Sequence, residues 1–127
     1  MKPTILVVDD APEIRRMLSE LLGGAGYDVH TAATYEEGRD LADAANPDLL
    51  LLDIRLGEYN GLQLAVRERT AHPGRPVIVM TGYLDPVLEA EARRQGAAFI
   101  EKPVEAGALL ALIARMLQGA PPSPPAG

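Results

Sequence analysis

Three acidic residues stand directly after apolar runs of this chain. Asp9 and Asp10 follow the run at 5–8, and Asp53 follows the run at 49–52. If these runs are parallel strands of one sheet, their carboxyl ends meet at one edge and bring the carboxylates together. Two carboxylates about 5 Å apart repel each other by roughly 3 kcal/mol at an effective dielectric constant of about 20. The cluster therefore needs a cation, and its oxygen ligands suit Mg²⁺, with Mn²⁺ as an alternative.

Two further apolar runs lead into residues that could hold a phosphoryl group. Thr81 and Gly82 follow one such run directly, and Lys102 lies two residues beyond another. The lysine supplies a positive charge, the threonine a hydroxyl donor, and the glycine a backbone that a phosphate can approach closely. Asp53 could then attack phosphorus, because a carboxylate can form an acyl phosphate. In-line phosphoryl transfer needs mainly positioning and charge neutralisation, which this set would supply.

Each of these residues alone has an ordinary structural explanation. An aspartate after a strand usually caps the next helix, and an isolated lysine usually lies in solvent. Their joint occurrence at the ends of the first, third, fourth and fifth strands of one predicted sheet favours a shared site.

Five short apolar runs alternate with amphipathic segments along the chain. Runs of this length, bounded by turn residues, are typical of strands buried on both faces. Strand followed by helix, five times over, predicts an α/β fold: a doubly wound, flavodoxin-like, five-stranded parallel sheet in the order 2-1-3-4-5, with helices on both faces. The five runs are 5–8, a weaker one at 27–32, 49–52, 77–80 and 97–100.

The first two helices carry boundary signals. The first is expected to begin near Pro12 and to close at the glycines of 23–26, and Thr34 with Glu37 forms a capping box that opens the second. The apolar positions predicted to share one face of the first helix are Ile14, Met17, Leu18, Leu21, Leu22 and Ala25.

The fourth and fifth helices differ in how many large apolar residues they carry. The fourth should begin at the N-cap Asp85 and end near Gly96; it has few large apolar residues, as expected of a low-stability, moving element. The fifth should run from about 104 to 117, with Leu110 as an extra apolar residue on the surface. We expect the surface of helix four, strand five and helix five to contact a partner protein or a second copy of this chain.

Length and composition exclude several kinds of protein and of chemistry. The length of 127 residues suits one domain, expected over 1–118. The proline-rich segment GAPPSPPAG at 119–127 is expected to be extended and disordered, either as a tail or as the stub of a linker. The absence of cysteine excludes disulfides and thiolate chemistry. A net charge of -6 with scattered basic residues argues against direct DNA binding. No stretch approaches the roughly 18 apolar residues of a membrane span, so we expect a cytoplasmic protein.

The strand ends carry four motifs: ILVVDD at 5–10, LLLLDIRLGEYNG at 49–61, VIVMTGY at 77–83 and AFIEKP at 98–103. With them the chain, over residues 3–118, closely resembles the receiver domains of bacterial two-component response regulators. The resemblance implies that a histidine kinase or a histidine phosphotransfer protein phosphorylates Asp53. It further implies a signalling module and not an enzyme in the ordinary sense, limited to its own phosphorylation and dephosphorylation.

The resemblance also assigns roles in binding. Asp10 and Asp53 would ligate Mg²⁺ directly, together with the backbone carbonyl of Arg55, and Asp9 would hold the ion through a water. Thr81 and Lys102 would bind the phosphoryl oxygens, helped by the backbone N–H groups of Arg55 and Gly82.

Further implied roles concern switching and the lifetime of the phosphoryl group. Thr81 and Phe99 would form the switch pair, and the peptide bond between Lys102 and Pro103 would be cis. Arg55 and Tyr83 stand two residues beyond Asp53 and Thr81, at positions that tune the phosphoryl lifetime in this family.

The chain departs from the usual receiver pattern in three places. Gly57 occupies a position that is often proline, the segment from Gly96 to Lys102 is one residue shorter than usual, and Ala97-Ala98 replaces a common acidic pair. The short form is similar to receivers attached to hybrid histidine kinases.

The sequence alone leaves two other functional classes open. A small-molecule phosphatase with an aspartate nucleophile usually carries a second aspartate two residues later, where this chain has Arg55. A docking-only pseudo-receiver would not need the complete acidic set together with Thr81 and Lys102.

Overall fold

A parallel sheet of five strands forms the centre of the computed structural model, which describes residues 2–56, 59–82 and 86–119. Its order is β2-β1-β3-β6-β7. Two short strands, β4 and β5, pair antiparallel outside this sheet, so β6 and β7 are its fourth and fifth strands and the predicted order 2-1-3-4-5 is confirmed. The strands are β1 Thr4–Val8, β2 Asp28–Ala32, β3 Leu49–Asp53, β4 Arg55–Leu56, β5 Tyr59–Asn60, β6 Val77–Thr81 and β7 Ala98–Glu101.

The helices begin and end close to the predicted signals. Pro12 opens α1 in the first turn, and the Thr34 hydroxyl accepts a hydrogen bond from the Glu37 N–H at 3.1 Å. The Glu37 carboxylate reaches back to the N–H of Ala33, one residue before the cap. Asp85 lies outside the described residues. The five helices are α1 Pro12–Gly24, α2 Tyr35–Ala45, α3 Gly61–Ala71, α4 Pro86–Arg94 and α5 Ala106–Leu117.

Alternate residues of each central strand enter two separate cores. Leu6, Val8, Leu50 and Leu52 pack with residues of α2, α3 and α4, whereas their neighbours in sequence pack with α1 and α5. Because both faces of the sheet are covered, the central strands are apolar throughout, as predicted.

Three details differ from the sequence prediction. Met17 is 43% exposed, because α1 buries Leu18 and Leu22 against the sheet and leaves Met17 at its rim. Leu110, expected on the surface, is only partly exposed, because it packs against the core between the sheet, α1 and α5. The last helix begins at Ala106, two residues late, because the Glu105 carboxylate accepts the N–H groups of the first turn.

Within 2–56, 59–82 and 86–119, no helix is long and apolar enough to cross a membrane. The predicted tail lies outside the described residues, apart from Gly119.

Candidate functional site

The three acidic residues singled out in the sequence meet at the carboxyl edge of the sheet. Because β1 and β6 both pair with β3, the ends of β1 and β3 lie side by side. Asp9, Asp10 and Asp53 each bring one carboxylate oxygen to within 4.8 Å of the others. This spacing suits oxygen ligands that share one divalent cation.

Asp9 is completely buried and tightly held. Its N–H donates to the Ala32 carbonyl at 3.1 Å, and its carboxylate accepts from the Ala11 N–H at 2.9 Å and from Lys102 Nζ at 2.9 Å. Its carbonyl accepts from the Arg15 guanidinium at 2.7 Å. Asp9 therefore anchors Lys102 as well as belonging to the acidic cluster.

Asp10 is exposed and faces a cleft. The cleft has a volume of about 350 Å³, enough for a cation with several waters, since one water occupies roughly 30 Å³ of liquid. Its lining residues are Asp10, Asp53, Ile54, Arg55, Gly82 and Lys102. Five of the predicted site residues are thus brought to one opening.

Asp53 lies at the edge of this cleft with only 6% of its surface exposed. Burial raises the pKa of Asp53, as does the nearby charge of Asp9, and these effects outweigh the lowering by Lys102 and by the Arg55 backbone N–H. The Lys102 ammonium lies 3.3 Å from the Asp53 carboxylate. One ammonium among three carboxylates leaves uncompensated negative charge, so the donor set fits a cation.

Lys102 joins the acidic cluster to the end of β6. Burial disfavours its charged form, but the hydrogen bond to Asp9 and the charge of Asp53 outweigh burial and raise the pKa of Lys102. Its backbone N–H donates to the Thr81 carbonyl at 2.6 Å, and the peptide bond to Pro103 is cis.

The residues predicted to form a switch pair, Thr81 and Phe99, lie on β6 and β7. Thr81 is buried, at 2% exposure, and Gly82 beside it is exposed. Phe99 stands opposite Val79 and packs, partly buried, against the core that also receives Leu88 of α4. Tyr83 and Gly57 lie outside the described residues; the lifetime-tuning role predicted for Tyr83 and for Arg55 stays a prediction.

Sequence reasoning missed two residues at this site. One is Arg15, whose contact with the Asp9 carbonyl leaves no trace in composition or spacing. The other is Gly61, where an added Cβ would lie 2.3 Å from the Asp53 carbonyl oxygen. The dipeptide Asn60-Gly61, a common turn signal, was the only hint that the backbone turns closely there.

Comparison with known proteins agrees with this site. The model of the response regulator receiver domain matches residues 5–114. The regulatory protein AtoC of Escherichia coli (strain K12) is 37% identical over 116 residues, which cover 90% of this chain and 25% of AtoC. The DNA-binding transcriptional regulator NtrC of the same strain is 37% identical over 117 residues, which cover 89% of this chain and 24% of NtrC. The chain thus spans about a quarter of the length of these relatives.

A solved structure agrees with the fold over nearly its whole length. The crystal structure of a CheY-like response regulator receiver domain protein from Methanospirillum hungatei JF-1 matches with a TM-score of 0.90 at 32% identity, covering 94% of this chain and 96% of that one. The likeness to receivers of hybrid kinases stays a prediction. The chain belongs to the response regulator receiver domains, the phosphoacceptor modules of two-component signalling.

Proposed function

We propose that Asp53 is the residue that accepts the phosphoryl group. The observation that carries this proposal is its position: a nearly buried carboxylate at the cleft, 3.3 Å from the Lys102 ammonium and within the cluster formed with Asp9 and Asp10. Asp10 is too exposed to be shielded from water, and both oxygens of Asp9 already accept hydrogen bonds.

The acidic cluster would hold Mg²⁺, or Mn²⁺ in its place. Asp10 and Asp53 would ligate it directly, together with the Arg55 carbonyl, and Asp9 would contact it through a water. When bound, the ion supplies positive charge to the carboxylates and to the incoming phosphoryl oxygens.

In the transfer step, a carboxylate oxygen of Asp53 forms a bond to phosphorus as the bond between phosphorus and the donor nitrogen breaks. The imidazole leaves and takes up a proton. The negative charge of Asp53 moves outward onto the phosphoryl oxygens, where the Lys102 ammonium, the Thr81 hydroxyl and the backbone N–H of Gly82 can meet it. Water later cleaves the acyl phosphate, so the domain catalyses only its own phosphorylation and dephosphorylation.

The phosphoryl donor would be a histidine kinase or a histidine phosphotransfer protein. An apolar cavity of about 120 Å³ lies beside Lys102 and is lined also by Ile14, Met17, Pro103 and Val104. Met17 is 43% exposed there, and methionine is enriched in protein interfaces. An apolar surface next to the cleft favours docking of a protein over use of a small anionic donor alone.

The output would be a shift between two conformations of α4, β7 and α5. Movement of Thr81 toward the phosphoryl group would displace the end of β6, and β6 pairs along its length with β7, the strand that carries Phe99. Phe99 and Leu88 of α4 pack against the same core, which gives this movement a route to α4. A downstream protein or a second copy would bind the changed surface.

Intact-mass measurement tests the acceptor. Acetyl phosphate with Mg²⁺ should add one phosphoryl group to the protein, and Asp53→Asn should abolish the addition. Asp40→Asn, an exposed carboxylate on α2, is the matched control and should be phosphorylated normally. Rapid multiple turnover of acetyl phosphate would instead indicate a phosphatase, and no uptake at all would indicate a docking-only domain.

A further inference from the structure

The peptide that joins the two N-terminal aspartates of the site is held by one arginine. Arg15, in the first turn of α1, donates from its guanidinium to the Asp9 carbonyl at 2.7 Å. That carbonyl and the N–H of Asp10 belong to the same planar peptide group. The Arg15 contact therefore restricts the direction in which the Asp10 side chain projects from the backbone.

The other described contacts of this loop hold different atoms. The hydrogen bonds to Ala32, Ala11 and Lys102 fix the backbone N–H and the carboxylate of Asp9. In the described part of the chain, the exposed Asp10 carboxylate accepts no hydrogen bond. Its orientation toward the cleft thus depends on its own backbone.

We propose that Arg15 is a positioning residue for cation binding, which acts by orienting Asp10 through the Asp9–Asp10 peptide. The inference rests on the proposed function, in which Asp10 is a direct ligand of Mg²⁺. Groups that orient a metal ligand without touching the metal typically contribute a factor of about 10 to 100 in metal affinity.

The direction of the change in Mg²⁺ affinity distinguishes a positioning role of Arg15 from a purely electrostatic effect of its charge. Arg15 carries a positive charge near the acidic cluster, and like charges repel, so removing that charge should by itself tighten cation binding. Loss of positioning should weaken it. A variant that lacks Arg15 therefore moves the Mg²⁺ affinity in opposite directions under the two explanations.

The neighbouring Arg16 supplies a matched control. It carries the same charge on the same helix, is exposed, and makes no hydrogen bond in the described part of the chain. Arg16→Met removes the charge alone, whereas Arg15→Met removes the charge and the donor to the Asp9 carbonyl. Arg15→Lys keeps the charge and one donor.

The experiment is a titration of each folded variant with MgCl₂ alone, followed by amide NMR shifts without any phosphoryl donor. Arg15→Met should raise the Kd for Mg²⁺ by about tenfold or more, in line with the usual effect of such orienting groups. Arg15→Lys should lie between this variant and the wild type, and Arg16→Met should bind as the wild type does or slightly more tightly.

If the wild-type protein binds Mg²⁺, two results would overturn the role of Arg15 without affecting the metal assignment. One is Mg²⁺ binding by Arg15→Met that equals or exceeds that of the wild type; the other is an equal loss in Arg16→Met. If Arg15→Met does not fold, Arg15→Lys decides, because an affinity equal to wild type would contradict the need for the guanidinium. A wild-type protein that binds no Mg²⁺ would overturn the metal assignment itself, and this inference with it.

Discussion

Single residues at this site act through backbone atoms as much as through side chains. Gly61 donates its N–H to the Ile54 carbonyl at 2.8 Å, and its Cα lies so close to β3 that a Cβ would meet the Asp53 carbonyl oxygen at 2.3 Å. A glycine at this position lets the start of α3 lie directly against the backbone of Asp53. No composition rule could have assigned that role.

Replacing Gly61 by alanine should destabilise the domain by about 1–3 kcal/mol, the usual cost of an overpacked contact. Helix propensity alone predicts the opposite, since alanine stabilises helices by about 1 kcal/mol relative to glycine. Gly23→Ala in α1 is the matched control, because a Cβ there meets nothing within 4 Å and should stabilise the domain. Urea unfolding followed by circular dichroism measures both changes, and a stabilised Gly61→Ala protein would refute the close contact.

Among the elements, α2 and α3 are linked through charged side chains around the buried Glu68, whereas α4 buries little of its own surface. Glu68 of α3 is completely buried and accepts from Arg75 at 2.9 Å, while Arg75 also donates to Asn46 at the end of α2 at 2.7 Å. Arg67 adds a bridge to Asp43 at 3.0 Å. In α4, described over Pro86–Arg94, the single buried residue is Ala92. The tied pair should resist movement, and α4 should permit it.

Binding of a phosphate analogue should therefore disturb these elements unequally. With beryllium fluoride and Mg²⁺, amide NMR shifts should change more across α4, β7 and α5 than across α2 and α3. The same addition to Asp53→Asn should leave both regions unchanged. Equal changes in α2 and α3, or none across residues 86–117, would count against the proposed output surface.

An element could be predicted from the sequence only where its residues form a recognisable pattern. Continuous apolar runs located the five main strands. The ends of β1 and β2 coincide with their runs, whereas β3, β6 and β7 continue one residue further, to Asp53, Thr81 and Glu101, because sheet pairing includes those residues. The α3 helix was implied by the repeat but received no boundaries, since its buried side includes the charged Glu68. The two-residue strands β4 and β5 are too short to show any periodicity.

The predictable part of the site follows from topology. Parallel strands place their carboxyl ends together, so Asp9, Asp10, Asp53 and Lys102 could be grouped without coordinates. Arg15 could not, because its partner is a carbonyl group that every residue possesses.

On the scale of the whole molecule, the proposed input at Met17 and the α4 helix of the proposed output lie on opposite faces of the sheet. The apolar cavity at Met17 lies where α1 meets the segment after β7, and the α4 helix covers the opposite face of the sheet. A protein bound at Met17 would therefore leave α4 free for the proposed output contact. Direct DNA binding is not expected of this part, given its net charge of -6.

Met17→Lys should slow phosphorylation by a cognate histidine kinase by about tenfold, because a buried interface residue often contributes more than 1 kcal/mol. Phosphorylation by acetyl phosphate should be unchanged, since that donor needs only the cleft. Val66→Lys is the control, as Val66 of α3 is 40% exposed against 43% for Met17. Equal slowing with both donors would place the defect in the acceptor chemistry and remove the argument for docking.

The buried run Leu49–Leu52 raises the question of how β3 finds its alignment during folding. Both of its faces are apolar, so hydrophobic burial hardly distinguishes one alignment from another. At its start, the carboxylate of Asp48 accepts the Thr4 N–H and the Asp48 N–H donates to the Thr4 carbonyl, both at 2.7 Å. At its end, sliding inward would carry the carboxyl group of Asp53 among apolar side chains, which is unfavourable for a polar group without hydrogen-bond partners. The acid proposed to carry the signal thus also prevents a nearly uniform stretch of leucines from misaligning.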